Sequence, residues 1–498
     1  MNNSKIDDCL STRNGRLFIE DCDTVDLAQR FGTPLFVFSE GLLRRNFREF
    51  KSAFSAYWPE GPTEVLPALK ANWILAIRKL LSEEGAGADV YSYGELHAAL
   101  EGGVDPEIIS VNGGGKQEDM IEKCIQSGVR ITVEDLDEPE LINRIAGRMG
   151  SKAKIRFRVK PNFPRLWKPT DFAQEKVSID IGIQVYKSGI PAQYLPELGN
   201  KVLKMPNVEL VGLHFHGGRH HASLWYWEEL MKEYAALIAE LSRAWNGWQP
   251  KEIDLGGGFA SHRDPHNKLG LRQDVVETWL TWPLVRLLGL FRPHTRYKIM
   301  GMVLSFFSKY PNRKMAPAIR EYAEAAAGTL YAELKRLGIN TRDVKLQVEP
   351  GRCLYGNTGI HLTRVKKFKR QTKPIPMNWV LTDTTYFFMA GGMFEYQFNH
   401  FIFANRTDDK PVHVADIVGH SCYGDRYLPL AHVPDVKPGD LVALLDMGAY
   451  QEVSACNFNA LPRPATILVN GSEAETVRRA ETIEDVFCRD VIPDRFKK

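Results

Sequence analysis

Nowhere in this chain do two cysteines form a CxxC pair, and nowhere do about 18 apolar residues run uninterrupted, the length a bilayer span needs. The seven cysteines, Cys9, Cys22, Cys124, Cys353, Cys422, Cys456 and Cys488, are odd in number and widely scattered. That pattern suggests neither a disulfide framework nor a zinc site, and no metal is expected. Charge of one sign is lacking too. The 64 basic and 61 acidic residues leave a net of +3, too little for a surface built to bind nucleic acid. The opening residues, MNNSKIDDCLSTRNGRLFIED, hold no apolar segment of a secretory signal, so a cytoplasmic protein is expected. These absences leave a small molecule as the expected partner. With 44% hydrophobic and 25% charged residues the chain reads as globular, and 498 residues exceed one ordinary core.

From residue 64 onward short β-branched runs alternate with longer amphipathic segments, the pattern of βα units. The strands predicted are VLPALKA (65–71), GADVYS (87–92), IISVNG (108–113), RITVED (130–135), KIRFRVK (154–160), VELVGLHFH (208–216), EIDLGGG (252–258) and KLQVEP (345–350). Between them, segments such as NWILAIRKLLSEEG and QEDMIEKCIQSG place apolar residues three and four apart and end near glycine, as helices do. Eight such units predict a (β/α)8 barrel, whose active site lies at the carboxyl ends of its strands. Those ends carry Lys70, Asp89, Asn112, Glu134, Arg158, His216, Gly256, Gly257, Gly258, Glu349 and Arg352. Alone, Lys70 reads as a solvated strand end; in this company it reads as chemistry.

The three glycines lack side chains, so their N–H groups can approach a phosphate closely, and Arg352 can add a bidentate contact. Lys70 is suited to form an imine with an aldehyde. Phosphate and aldehyde together indicate pyridoxal 5′-phosphate (PLP). Glu349 can pair with a protonated ring nitrogen, which makes the ring an electron acceptor, and His216 can lie against one ring face. Asp89 and Arg158, at the ends of two other predicted strands, are assigned to the same cofactor site.

In this order the motifs resemble the fold-type III PLP-dependent amino-acid decarboxylases, nearest the diaminopimelate decarboxylase branch, with ornithine and arginine decarboxylases as relatives. The resemblance runs from about residue 30 to 490 and rests on FGTPLFVFSE, ALKAN, GLHFHGG, IDLGGGF, EPGR, CYGD, GAY and RRAETIED. It implies an alanine racemase-like barrel over 41–352 and a β-sandwich or β-barrel domain over 353–498, joined by the segment 1–40. It also implies a head-to-tail homodimer with shared active sites. In such a dimer Cys422 and Asp425 would reach the partner's site, Cys422 helping to protonate the carbanion left by carbon dioxide. Tyr450 would touch phosphate or substrate.

Departures from the family bear on the substrate. Arg219 stands in HGGR where relatives read HIGS, and Tyr423 stands where diaminopimelate enzymes carry glutamate. Their RPxLY arginine is missing from TDTTYFFMAGGMFEYQFNHFIF. Tyr386, Phe387, Phe388, Tyr396 and Tyr423 suit a bulkier or less charged side chain, with a place in the core as the alternative for some of them, and standard meso-diaminopimelate is not the expected substrate. About ninety residues separate GGGF from EPGR, roughly twice the family's length. The added segment, 265–315, mixes aromatic and basic residues and reads as a helical hairpin packed on the barrel; a lid, a docking surface or interfacial membrane contact by 275–314 are its alternatives. An amino-acid racemase and a catalytically silent binding homologue remain the rival functions. Racemases of the related group put arginine at the ring nitrogen, where this chain has Glu349.

Overall fold

The computed structural model describes residues 4–160, 187–218, 221–261, 286–307, 316–391 and 400–497. Two compact units divide them. One holds Leu43–His262 and Met315–Leu354; the other holds Met1–Leu42, Arg263–Lys314 and Tyr355–Lys498.

The first unit is a (β/α)8 barrel. Its strands are β1 (Thr63–Val65), β2 (Ala88–Val90), β3 (Ile109–Val111), β4 (Arg130–Val133), β5 (Ala153–Lys160), β6 (Val208–Phe215), β7 (Glu252–Asp254) and β8 (Lys345–Val348). They pair in parallel in the order β1-β8-β7-β6-β5-β4-β3-β2. All eight predicted strands have a counterpart, but β2, β3 and β7 are shorter than expected, and the first is observed at Thr63–Val65, where 65–71 was expected. Pro67 has no N–H to give the ladder, so the regular pairing ends at Val65. The chain rejoins β2 through a single bridge, Ala68 to Asp89, and through the Leu69 N–H donating to the Asp89 carbonyl at 2.9 Å. That contact closes the ring and leaves Lys70 on a turn just past it.

Local chemistry places the crossovers. Ser92 accepts from the Glu95 amide at 3.2 Å to cap helix Tyr93–Glu101, and helix Glu118–Ser127 ends on Gly128 in the left-handed conformation. On the strands, every second residue points outward. Ile155, Phe157, Leu213 and Ile253 are fully buried there, while the intervening residues point into the barrel.

The second unit is built on a mixed sheet. Strand Leu35–Ser39, from before the barrel, lies between Gly359–Gln371, to which it is antiparallel, and Ala465–Asn470, to which it is parallel. Met377–Thr382, His413–Val418 and Arg426–Val433 extend one side, and Glu473–Arg478 the other. Leu441–Leu444 also pairs with Gly359–Gln371 and carries Phe401–Phe403. A four-stranded antiparallel meander, Ser4 to Asp23, adds Leu10, Leu17 and Ile19 to a core that includes Leu35, Val37, Leu362 and Ile467. From the 265–315 segment the described part includes helix Pro293–Phe307. Among the described residues no helix is long and apolar enough to cross a membrane.

Candidate active site

Strand ends of the barrel bring the expected residues together. The Lys70 Nζ lies 3.3 Å from Asp89 Oδ2, and the lysine side chain is 44% exposed while Asp89 is buried. The other Asp89 oxygen accepts from Asn112 Nδ2 at 2.6 Å. Burial works against the charged carboxylate, but the Lys70 ammonium and the Asn112 amide prevail and hold Asp89 below its ordinary value. Arg158 Nη1 donates to Glu134 Oε1 at 2.8 Å, and the Gly113 amide donates to the same oxygen at 2.6 Å. Glu134 is likewise held low, burial being outweighed by Arg158 and that amide.

Glu349, at the end of β8, is buried inside this ring. Its Oε1 accepts from Asn112 Nδ2 at 2.8 Å and lies 3.3 Å from Arg156 Nη2; its Oε2 lies 3.0 Å from His214 Nε2. Burial and the Asp89 charge push its pKa up to about 7, against the pull of Arg156 and Lys70. Burial lowers His214 to about 3, so the imidazole is neutral. His216 is half-buried, its Nδ1 accepting from the Gly218 amide at 3.2 Å. Desolvation, with Lys70 and Arg158 nearby, holds it well below the ordinary histidine value, and a neutral ring suits stacking.

The glycine run packs so closely on the neighbouring strand ends that side chains have no room. A Cβ on Gly256 would come within 2.3 Å of the Phe215 carbonyl oxygen, and one on Gly257 within 2.4 Å of that of Glu349. Gly256 and Gly258 have φ of +66° and +106°, backbone that L side chains rarely adopt. Asp254 Oδ1 accepts from the Gly256 amide at 2.7 Å and fixes the turn. Arg352 is buried at the start of the short helix after β8. An amine, a backbone cradle for an anion and a buried carboxylate on one barrel end are the donor set that PLP requires, so the residues fit the cofactor.

In the β unit the resemblance residues fall into one neighbourhood. Asp425 is buried at φ +49°, its carboxylate accepting from the Tyr386 amide at 2.5 Å and the Ser421 amide at 2.9 Å. It anchors the loop that displays Cys422 and Tyr423, the latter 62% exposed. The Cys422 amide donates to Asn459 Oδ1 at 2.9 Å. Phe387 packs edge-on to Tyr423 and stacks on Phe458, and Tyr386 is half-buried beside Tyr423. Tyr450 occupies a turn at φ +65°, close enough that Gly391 has no room for a side chain. Arg219 and Tyr396 lie outside the described residues.

Five residues with a place in the site carry no assignment from the sequence: Asn112, Glu134, Arg156, His214 and Asp254. Asn112 and Glu134 stand at predicted strand ends without a role. Arg156, His214 and Asp254 each stand two residues before an assigned one, in RFR, HFH and DLG. A spacing of two places side chains on one strand face, and that signal would have found them.

A family model described as the pyridoxal-binding domain of pyridoxal-dependent decarboxylases matches residues 40–285. Diaminopimelate decarboxylase of Archaeoglobus fulgidus is 28% identical over 97% of this chain and 99% of its own, and that of Aquifex aeolicus is 28% identical over 95% and 96%. The crystal structure of the M. jannaschii diaminopimelate decarboxylase superposes with a TM-score of 0.80 at 26% identity, covering 98% of this chain and 99% of its own. Barrel, site and relatives together define a PLP-dependent amino-acid decarboxylase. The chain belongs to the fold-type III family of these enzymes and is diaminopimelate decarboxylase-like.

Proposed function

We propose that the enzyme, as a homodimer with shared sites, removes the α-carboxylate of a diamino acid or a bulkier amino acid other than standard meso-diaminopimelate. Carbon dioxide leaves, a proton takes its place on the α-carbon, and an amine is released. PLP, when bound, supplies an electron sink for the pair left on that carbon. Lys70 Nζ would hold the cofactor's aldehyde, and the Gly256–Gly258 run, through the amides of Gly257 and Gly258, would hold its phosphate with Arg352; the Gly256 amide is taken by Asp254 and fixes the turn. Glu349 keeps a proton at the ring nitrogen. His216 would lie against the ring and exclude water from it. Asp89 and Arg158 hold the ring's surroundings polar and fixed.

The partner subunit's Cys422 carries the returning proton on Sγ. In its own subunit Asp425 presents the loop that bears it. Exposed apolar residues at the chain's end, Ile483, Phe487, Val491, Ile492 and Phe496, favour coverage by a second copy. Tyr450, Tyr386 and Tyr423 bind substrate or phosphate, with Arg219 as a further anion contact.

The observation that carries the substrate reading is the loop itself, where Tyr423 stands on an aromatic cluster with Phe387 and Phe458. A tyrosine offers a distal ammonium a neutral hydroxyl and a ring face in place of a carboxylate, so the ion-paired hydrogen bond, worth about 1.5–3 kcal/mol, is lost. A second reading, meso-diaminopimelate itself, is favoured by the names of the relatives. Carbon dioxide release from a panel of basic, acidic and aromatic-conjugated amino acids decides. The proposal expects at least one to exceed meso-diaminopimelate in kcat/KM by about a hundredfold; diaminopimelate as the best substrate refutes it.

A further inference from the structure

Barrel interiors are ordinarily filled by Val, Ile and Leu. Below Glu349 this one holds Ser110, Thr132, Arg156, Asp254 and Gln347, all fully buried. Arg156 is the hub. Its Nε donates to Thr132 Oγ1 at 2.8 Å, its Nη1 to Gln347 Oε1 at 2.5 Å, and its Nη2 to Ser110 Oγ. Nη1 also lies 2.7 Å from Asp254 Oδ2 and 3.8 Å from Glu252 Oε1, and Nη2 lies 3.3 Å from Glu349 Oε1. The guanidinium thus bridges carboxylates on β7 and β8. In the β5–β6 pairing the register slips between Ile155 and Arg156, a bulge of the sort that re-aims side chains beside active sites.

The charges around Glu349 show why a hub is needed. Asp89 on β2 and Asp254 on β7 repel its carboxylate, and burial penalises it. Asn112, just past β3, supplies an amide only. His214 on β6 is neutral. Arg158 is engaged by Glu134, and Glu252 is also met by Arg130 at 2.9 Å. Lys70 contributes a cation only while its amine stays an ammonium, and that amine is the one assigned to the cofactor's aldehyde. Arg156 cannot lose its proton. His214, Asp254 and Glu349 offer atoms within 4.8 Å of one another, the spacing of a metal triad, but the guanidinium already occupies Asp254 and Glu349.

We propose that Arg156 is a positioning residue for the reaction: its guanidinium, bridging Glu349 and Asp254 in the barrel, favours their ionised forms against burial and mutual repulsion, so that Glu349 faces the ring nitrogen as a carboxylate. This rests on the assignment of Glu349 made above, and the test separates the two. Infrared spectra of the cofactor-free protein, taken across pH, follow the C=O stretch of protonated carboxyl groups; Glu349→Gln and Asp254→Asn assign the bands. An opposite charge in contact lowers a carboxyl pKa by about 1–3 units. Removing it raises the value, so in Arg156→Met the midpoint of proton release is expected to move to higher pH by about one unit or more. Arg156→Lys, which keeps the charge, is expected to restore most of that shift. If Arg156→Met does not fold, Arg156→Gln, neutral but polar, is read the same way. An unmoved midpoint in a folded neutral variant overturns the proposal, whatever the enzyme's substrate, because a purely structural arginine would alter melting and not this titration.

Discussion

Replacing Glu349 with glutamine removes a charge while keeping shape, and the structure gives two magnitudes for it. The first is kinetic. Glu349 is the one buried carboxylate assigned to the ring nitrogen, and a neutral amide cannot stabilise a protonated ring. Loss of such a contact at about 3–4 kcal/mol slows decarboxylation roughly a hundred- to thousandfold, with the cofactor still bound. The second is thermodynamic. Burial raises the Glu349 carboxyl from 4.5 to about 7, so between those values the folded cofactor-free protein holds a proton that the unfolded chain releases. Stability therefore falls as pH rises through that window, and the cost of the buried charge above pH 7 amounts to about 3 kcal/mol at most. Glutamine has no proton to lose. Urea unfolding of the cofactor-free protein at pH 5, 6.5 and 8 is expected to show a steep loss of stability in the wild type and a shallower one in Glu349→Gln; the remaining slope includes Asp254, raised to about 6 by burial and by Glu349. Equal slopes in the two proteins, or an unchanged kcat, would refute the reasoning.

Two further outcomes follow from the same geometry. Mixing inactive Lys70→Ala with inactive Cys422→Ala is expected to restore part of the activity, since one site of each heterodimer then keeps both residues; no recovery after proven subunit exchange removes Cys422 from the partner's site. In Gly257→Ala the new Cβ would meet the Glu349 carbonyl at 2.4 Å, so cofactor affinity should fall at least tenfold or the melting temperature by several degrees; a variant that matches wild type in both denies the cradle its close fit.

The barrel was legible because alternation of apolar runs and amphipathic segments survives in all eight units, and its strand ends marked Lys70, Asp89, Glu349 and the glycines. What stayed hidden depends on contacts made across the barrel. Arg156 and His214 lie inside apolar strands, where sequence alone gives no sign that Asp254 and Glu349 arrive from β7 and β8 to meet them. The resemblance has Asp425 reaching toward a partner; in its own subunit the carboxylate accepts from the Tyr386 and Ser421 amides, and the residue has a positive φ that no propensity announces. The early end of β1 was readable in Pro67, since a residue without an N–H breaks a central ladder. The strand Leu35–Ser39, a plain apolar run, shows its place between Gly359–Gln371 and Ala465–Asn470 only once the sheet is formed.

The most direct measurement is release of labelled carbon dioxide from carboxyl-labelled amino acids by the purified, PLP-loaded protein, run beside Lys70→Ala. Release by the wild type, together with loss of both release and the visible absorption of bound PLP in the variant, is the expected result. A Lys70→Ala protein that keeps the absorption and still releases carbon dioxide would contradict the account of the site.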